Sequence, residues 1–358
     1  MIRPGSSLGI LGGGQLGRML AIAAAQCGLK VHVYAPDADS PAFDVCAEWT
    51  VAPYEDEAAL ARFARSVEAV TYEFENVPAR AAEVLGAHTL LAPNARALMI
   101  TQDRLLEKTF LAGLGITTAP FAGVSDEAEL ASALERIGRP GILKTRRFGY
   151  DGKGQIMVRE GTDPSAAWTE LGRTPCILEG FVPFEREVSV VAARGRSGAF
   201  AAYDLCANEH KAHILDVTRV PAGVAGETEA SALATAKTIA EALDYVGVLA
   251  VEMFYMGPQA DDPLLINEIA PRVHNSGHWT LDACPVSQFE NHIRAVAGWP
   301  LGSTARHSDA EMINLIGLEA DAWEILAADR GALVHLYGKR EAREGRKMGH
   351  VNRLRKKT

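Results

Sequence analysis

The chain has 358 residues, 48% hydrophobic and 23% charged, with a formal net charge of −9. That balance describes a soluble protein of two or three domains; it argues against a general nucleic-acid binder, and no apolar run is long enough to span a bilayer. Five cysteines (Cys27, Cys46, Cys176, Cys206 and Cys284) are odd in number, scattered and without a CxxC pair, so they read as reduced residues of a cytoplasmic protein.

The first element is an apolar strand, Leu8 to Leu11, and the second a helical stretch from Leu16 to Cys27. Between them "GGGQLG" sets Gly12, Gly14 and Gly17 at the GxGxxG spacing. Such glycines let the backbone approach a phosphate and let helix and strand pack closely, while the helix N-terminus favours an anion. Asp37, after a second strand from Val31 to Tyr34, stands where a ribose-binding carboxylate would. Two readings are open at this point: a nicotinamide-dependent oxidoreductase, and a tight βα turn in a doubly wound domain. The same turn, with Arg18, interrupts the apolar N-terminus, so no secretory segment is read there. Strands from Ala69 to Phe74 and from Thr89 to Ala92 continue the βαβ rhythm of a parallel sheet.

Residues 94 to 115 read as helical, with Asp103, Arg104, Glu107 and Lys108 on a polar face. A βα segment then ends in "GILKTRRFGYDGKGQIMV", where Lys144 closes an apolar run ahead of a loop holding Gly149, Gly152 and Gly154. A flexible glycine loop can fold over phosphates and donate N–H groups while a strand lysine pairs with their charge. The alternative for Lys144 is an ordinary strand end reaching solvent; the spacing is not that of a P-loop. Short strands follow in "CILEGFV", "REVSVVAA" and "FAAYDLCANEH". Glu179 ends the first and Glu187 begins the second, a placement suited to holding adenine by backbone groups and ribose by a carboxylate.

After a helix from Glu227 to Leu243, the strands "VGVLAVEMF" and "PLLINEIAP" each carry one glutamate inside an apolar run. If they form a hairpin centred on Ala260, Glu252 and Glu268 face one another. Opposed buried carboxylates repel, and a divalent cation bridging them offsets that cost; oxygen ligands of this kind suit Mg²⁺ carrying nucleotide phosphates. Solvated edge glutamates are the alternative. The last sixty residues read as a small mixed piece, and its basic end, Arg353, Arg355, Lys356 and Lys357 above all, as a solvated tail.

This order of features resembles the ATP-grasp superfamily. More closely, "GGGQLGRML", "YEFENV", "RRFGYDGKGQ", "NEIAPRVHNSGH" and "GRKMGHVN" resemble the N5-carboxyaminoimidazole ribonucleotide synthetases, over nearly the whole chain. The resemblance implies an α/β chain: a Rossmann-like domain (1–98), an ATP-grasp domain of α+β type (99–300) and a small C-terminal mixed β domain (301–358). Val273 departs from the pattern, which has proline there. The implied reaction is ATP- and bicarbonate-dependent carboxylation of 5-aminoimidazole ribonucleotide through carboxyphosphate, with Mg²⁺ accompanying ATP (Mn²⁺ as substitute), in a homodimer. By the same resemblance Arg104, Lys144, the loop Gly149, Tyr150, Asp151, Gly152, Lys153, Gly154 and Gln155, the segment Glu179, Gly180, Phe181 and Val182, with Glu187, His210, Asn267 and Glu268, form the ATP site. Glu252 and Glu268 are the implied metal ligands; Arg272, His274 and Lys144 are the implied catalytic residues, the first two meeting bicarbonate and Lys144 the ATP phosphates. Gln15, Leu16, Glu73 or Glu75, Asn275, Lys339, Arg346 and Lys347 are the implied contacts to the ribonucleotide, so the glycine turn serves that substrate and no dinucleotide. Two rivals are a formate-using glycinamide ribonucleotide transformylase, disfavoured by "GYDGKGQ" and "HNSGH", and a silent nucleotide-binding regulator, disfavoured by intact Lys144, Glu252 and Glu268.

Overall fold

Five parallel strands open the chain: β1 (Ser7–Leu11), β2 (Lys30–Ala35), β3 (Glu48–Val51), β4 (Ala69–Tyr72) and β5 (Leu90–Leu91), in the order β3-β2-β1-β4-β5. The winding reverses between β1 and β4, and open sheets of this kind bind ligands outside the carboxyl ends of the strands at that point. Gly12 to Gly14 and Glu73 stand there. This computed structural model describes residues 1–149 and 152–358, so Tyr150 and Asp151 lie outside the described residues. Strand β3 escapes the sequence reading because it is an edge with Trp49 and Val51 exposed, lacking the buried runs of β1 and β2.

The helical stretch 94–115 is two helices, Ala95–Thr101 and Arg104–Gly113. Asp103 divides them by capping the second, its carboxylate accepting the N–H groups of Leu105 and Leu106. Its polar face is not solvated as a whole, since Glu107 and Lys108 are buried.

An antiparallel sheet follows, β6 (Phe121–Val124), β7 (Gly141–Thr145), β8 (Gln155–Val158) and β9 (Cys176–Gly180), ordered β6-β9-β7-β8. Strand alternation sends Leu143, Leu178, Ala122, Val124 and Val158 into one core with helices Glu127–Ile137 and Pro164–Glu170. Lys144 and Glu179 are thereby left on the opposite face.

The third sheet has nine strands: β10 (Arg186–Arg194), β11 (Phe200–Ala202), β12 (Cys206–Lys211), β13 (Ile214–Val220), β14 (Gly247–Tyr255), β15 (Leu264–Ala270), β16 (Ser308–Ile316), β17 (Leu333–Leu336) and β18 (Lys347–Lys356). Their order is β15-β14-β10-β12-β13-β16-β18-β17, with β11 paired to β10. Two expectations are corrected here. "FAAYDLCANEH" is two strands, parted where Tyr203 and Leu205 turn into the core. The strands of the C-terminal piece also join this large sheet, β16 pairing with β13. The basic end is strand rather than tail: Arg353 on β18 pairs with Asp329 at 2.7 Å, although Lys356 and Lys357 stay exposed.

Both faces of the sheet centre are covered. Val188, Val190 and Ala192 of β10 pack with helix Gly226–Ala242, and Val191 and Ala193 with helix Gln288–Ala297. The latter core continues into Leu16, Leu20 and Ala24 of helix Gln15–Gln26. One apolar cluster thus binds the first sheet to the third and sets the glycine turn against the C-terminal strands.

Candidate active site

Glu252 on β14 lies directly opposite Glu268 on β15. The turn is not centred as the sequence suggested. Beyond the pair Met253 faces Ile266, a one-residue slip that leaves Asn267 without a cross-strand partner, so a bulge and not hairpin symmetry opposes the two glutamates. Each carboxylate carries a cationic or N–H partner: Arg104 Nη1 donates to Glu268 Oε2 at 2.9 Å, and His274 Nε2 stands 3.0 Å from Glu252 Oε1. Burial pushes the Glu252 carboxyl up, but His274, His210 and Arg272 outweigh it and hold it below the ordinary range. Two opposed carboxylates, with no third His, Cys, Asp or Glu completing a cage among the described residues, fit a hard cation that keeps waters and phosphate oxygens in its shell.

Lys144 and Glu179 meet diagonally across β7 and β9, Nζ to Oε2 at 2.7 Å, in nearly complete burial. Burial raises the Glu179 carboxyl, yet Lys144, Lys108 and Arg104 bring it down to about 2. So Lys144 is no strand end in solvent. Arg104 Nη2 donates to Gly149 O at 3.0 Å, tying the glycine loop to Glu268. Thr145 N–H donates to Gly154 O at 2.8 Å, and Lys144 faces Gln155 across the hairpin. Gly152 and Gly154 have φ of +77° and +71°, and a Cβ on Gly152 would fall 2.6 Å from the His213 ring, so both freedom and space require glycine. Past β9, Phe181 is 45% exposed while Val182 is buried. Glu187 Oε2 lies 2.5 Å from His210 Nδ1; burial lowers the His210 pKa, but this partner raises it overall.

Arg272 makes a bidentate pair with Glu75, Nη2 to Oε1 at 3.0 Å and Nε to Oε2. This pair joins the third sheet to the loop after β4. His274 Nδ1 accepts the Ser276 N–H at 3.3 Å, which leaves the Nε2 proton for Glu252. Behind it Asn208 Nδ2 donates to Ser189 Oγ, and Ser189 Oγ to Ser276 Oγ, each at 2.8 Å. Gln288 clamps the same loop, accepting from His274 N and donating to His274 O. Asn275 is paired amide to amide with Asn314 of β16, at 3.0 and 2.7 Å.

At the glycine turn Glu73 accepts the N–H groups of Gly14 (2.8 Å) and Gly17 (3.3 Å). A Cβ on Gly12 would sit 2.6 Å from Glu73 Cγ and one on Gly17 2.7 Å from Gly12 O. The glycines therefore admit a carboxylate of the chain itself onto the helix N-terminus, where a dinucleotide phosphate would have sat on one of the two readings the glycine spacing left open. Burial raises the Glu73 carboxyl despite those N–H groups. Leu16 is buried in the core, while Gln15 is partly exposed. Lys339 arrives from the β17–β18 connection, its Nζ donating to Lys347 O at 2.7 Å. Burial, with Arg346 and Lys347 nearby and Glu73 opposing, lowers Lys339 to about 8.

Sequence reasoning missed Glu107, Lys108, Ser189, Ser276, Gln288 and Asn314. Ser189 left a signal, two residues after Glu187 and so on the same strand face, as did Ser276 inside the quoted "HNSGH". The others sit on elements whose neighbours are distant in sequence.

A four-stranded antiparallel sheet bearing Lys144 and a glycine loop, set against a larger sheet bearing opposed glutamates, defines an ATP-grasp ligase. Residues 6–102 match the ribonucleotide synthetase preATP-grasp domain, 109–289 the ATP-grasp domain and 310–358 the phosphoribosylaminoimidazole carboxylase C-terminal domain. The N5-carboxyaminoimidazole ribonucleotide synthase of Brucella melitensis biotype 1 is 52% identical over 100% of this chain and 98% of its own length. An ADP complex of purK, an N5-carboxyaminoimidazole ribonucleotide synthetase, superposes with a TM-score of 0.95 at 42% identity, covering 99% of this chain and 94% of that one. The Aspergillus clavatus enzyme in complex with ADP and 5-aminoimidazole ribonucleotide gives 0.89 at 29% identity, covering 98% and 94%. The chain belongs to the N5-carboxyaminoimidazole ribonucleotide synthase family, and it is a carbon–nitrogen ligase.

Proposed function

We propose that the protein carboxylates the exocyclic amine of 5-aminoimidazole ribonucleotide, using ATP and bicarbonate, through carboxyphosphate. The observation that carries this reading is the Arg272–Glu75 pair, which sets Arg272 and His274 between the Glu252–Glu268 pair and the glycine turn with its lysine and arginine cluster. Lys144, the loop from Gly149 to Gln155, Glu179 to Val182, Glu187, His210 and Asn267 hold ATP. Glu252 and Glu268 hold Mg²⁺, or Mn²⁺ in its place, which supplies charge neutralisation at the phosphates. Arg272 and His274 orient bicarbonate, and fixed cations are what a reaction accumulating charge on oxygen requires. Gln15, the Leu16 backbone, Glu73 or Glu75, and Asn275 orient the ribonucleotide, with Lys339, Arg346 and Lys347 on its phosphate. The working division is 1–98, 99–300 and 301–358, in a cytoplasmic homodimer whose cysteines are unpaired. No helix among the described residues is long and apolar enough to cross a membrane.

ADP release with substrates omitted one at a time tests the assignment. All of ATP, divalent metal, bicarbonate and the ribonucleotide should be needed, and equal release with glycinamide ribonucleotide and formate would make it wrong.

Arg346→Ala should raise KM for the ribonucleotide roughly tenfold to a hundredfold, the scale of one charge-assisted hydrogen bond of about 1.5–3 kcal/mol, with KM for ATP little changed. The pH profile follows from Lys339. It is protonated below its value of about 8, so KM for the ribonucleotide should climb as pH rises through 8. Steady-state kinetics between pH 6.5 and 9.5 (roughly the window bracketing that value) would show it; a flat profile would remove Lys339 from the phosphate site.

A further inference from the structure

Helix Arg104–Gly113 buries two ionisable side chains that the proposed reaction does not employ. Glu107 is 2% exposed and Lys108 1%. Both reach one short stretch of β15. Lys108 Nζ donates to Ile266 O at 3.1 Å and to Asn267 O at 2.7 Å, and Glu107 Oε1 accepts the Ile269 N–H at 2.7 Å. These atoms bracket Glu268 on both sides, at the bulge that brings it opposite Glu252. Lys108 Nζ also lies 3.9 Å from Glu179 Oε1, an oxygen with no hydrogen-bond partner among the described residues.

Docking a helix does not call for this. Leu111, fully buried on the same helix, serves that purpose, and burying charge is costly unless its bonds are well made. What the pair adds is directional hydrogen bonding to backbone groups where the ladder is interrupted.

We propose that Glu107 and Lys108 are positioning residues that clamp the β15 bulge, and through it set how tightly the Glu252–Glu268 site takes a metal–nucleotide complex. The inference rests on the metal reading of those glutamates. It concerns residues that touch neither metal nor substrate.

The test uses the full chain, with Mn²⁺ as the probe in the presence of ADP, read by the loss of the free-ion paramagnetic resonance signal. Amide hydrogen exchange at Ile269 and the melting temperature are read beside it. Lys108→Met, which keeps the stem and removes the donor, should weaken Mn²⁺ binding at least ~10-fold and raise KM for ATP, with KM for the ribonucleotide within about twofold. Glu107→Leu should do the same and speed exchange at Ile269, while Glu107→Gln, which keeps an acceptor, should stay within about threefold of the parent. Should either of the first two fail to fold, Glu107→Asp keeps the carboxyl group but falls one methylene short, and should still weaken Mn²⁺ and release the Ile269 amide. A folded Lys108→Met or Glu107→Asp whose only change is a lower melting temperature overturns the proposal. Glu268→Gln is run alongside: if it leaves Mn²⁺ binding intact, the metal reading has failed; if it abolishes binding while Lys108→Met does not, the clamp has.

Discussion

Glu268→Gln should lower turnover by at least ~10²-fold, corresponding to about 3 kcal/mol of transition-state stabilisation, in a protein that still folds. Gln is nearly isosteric and still offers an oxygen to Arg104 Nη1, which donates to Glu268 at 2.9 Å. Two effects on stability oppose one another. Removing the charge relieves repulsion with Glu252 across the strand pair and removes the second cause, after burial, that pushes the Glu107 carboxyl up, but it weakens a half-buried ion pair with Arg104. The melting temperature should therefore move little while the reaction all but stops. Assays at saturating ATP, with thermal melts on the same preparation, check this. Turnover within a few-fold of the parent would remove Glu268 from the site.

Lys144→Ala should raise KM for ATP and lower kcat together, because its charge is needed both to bind the phosphates and as phosphoryl transfer proceeds. Unlike the glutamate change, it should cost stability. Lys144 and Glu179 form a buried pair at 2.7 Å, and removing one member of such a pair strands the other at about 3–5 kcal/mol. Lys108, 3.9 Å from the other oxygen, offsets part of that. The sign of the pH dependence follows. Glu179 is held near 2, so its contribution is present above the ordinary carboxylate value and lost as pH falls from there towards 2; without Lys144 the loss should begin at higher pH. Adding Glu179→Gln to Lys144→Ala should restore the melting temperature and leave activity lost. If the double variant recovered turnover, Lys144 would be structural and the ATP site would have to be drawn without it.

Much of the site was legible because its chemistry conflicts with its surroundings. A lysine ending an apolar strand, glycines in a run after it, and single glutamates inside buried strands are residues that local preference does not select. The opposition of Glu252 and Glu268 was legible as a hairpin register, but the bulge beyond the pair that sets it was not. The parallel sheet was equally plain, since β1, β2 and β4 are buried on both faces and read as mostly apolar runs, broken only by Ser7, Lys30, His32 and Thr71. Edge strand β3 was not, because exposure removes that pattern.

What the sequence determined by itself is which residues carry charge into buried strands, in what order, and on which face, since strand period and turn chemistry are local. Tertiary structure alone decided who meets them. The glycine turn reads the same whether it receives a phosphate or a carboxylate, and only the adjacency of β1 and β4 brings Glu73, 59 residues on, to the Gly14 N–H. Glu107 and Lys108 have the sequence of a solvated helix face; they are buried because that helix lies against a bulge 158 residues away, at Ile266. Arg272 finds Glu75 across 197 residues for the same reason. Helical and strand periodicity extend over a few residues, whereas these partners are chosen by how separate sheets pack, and no local pattern encodes that.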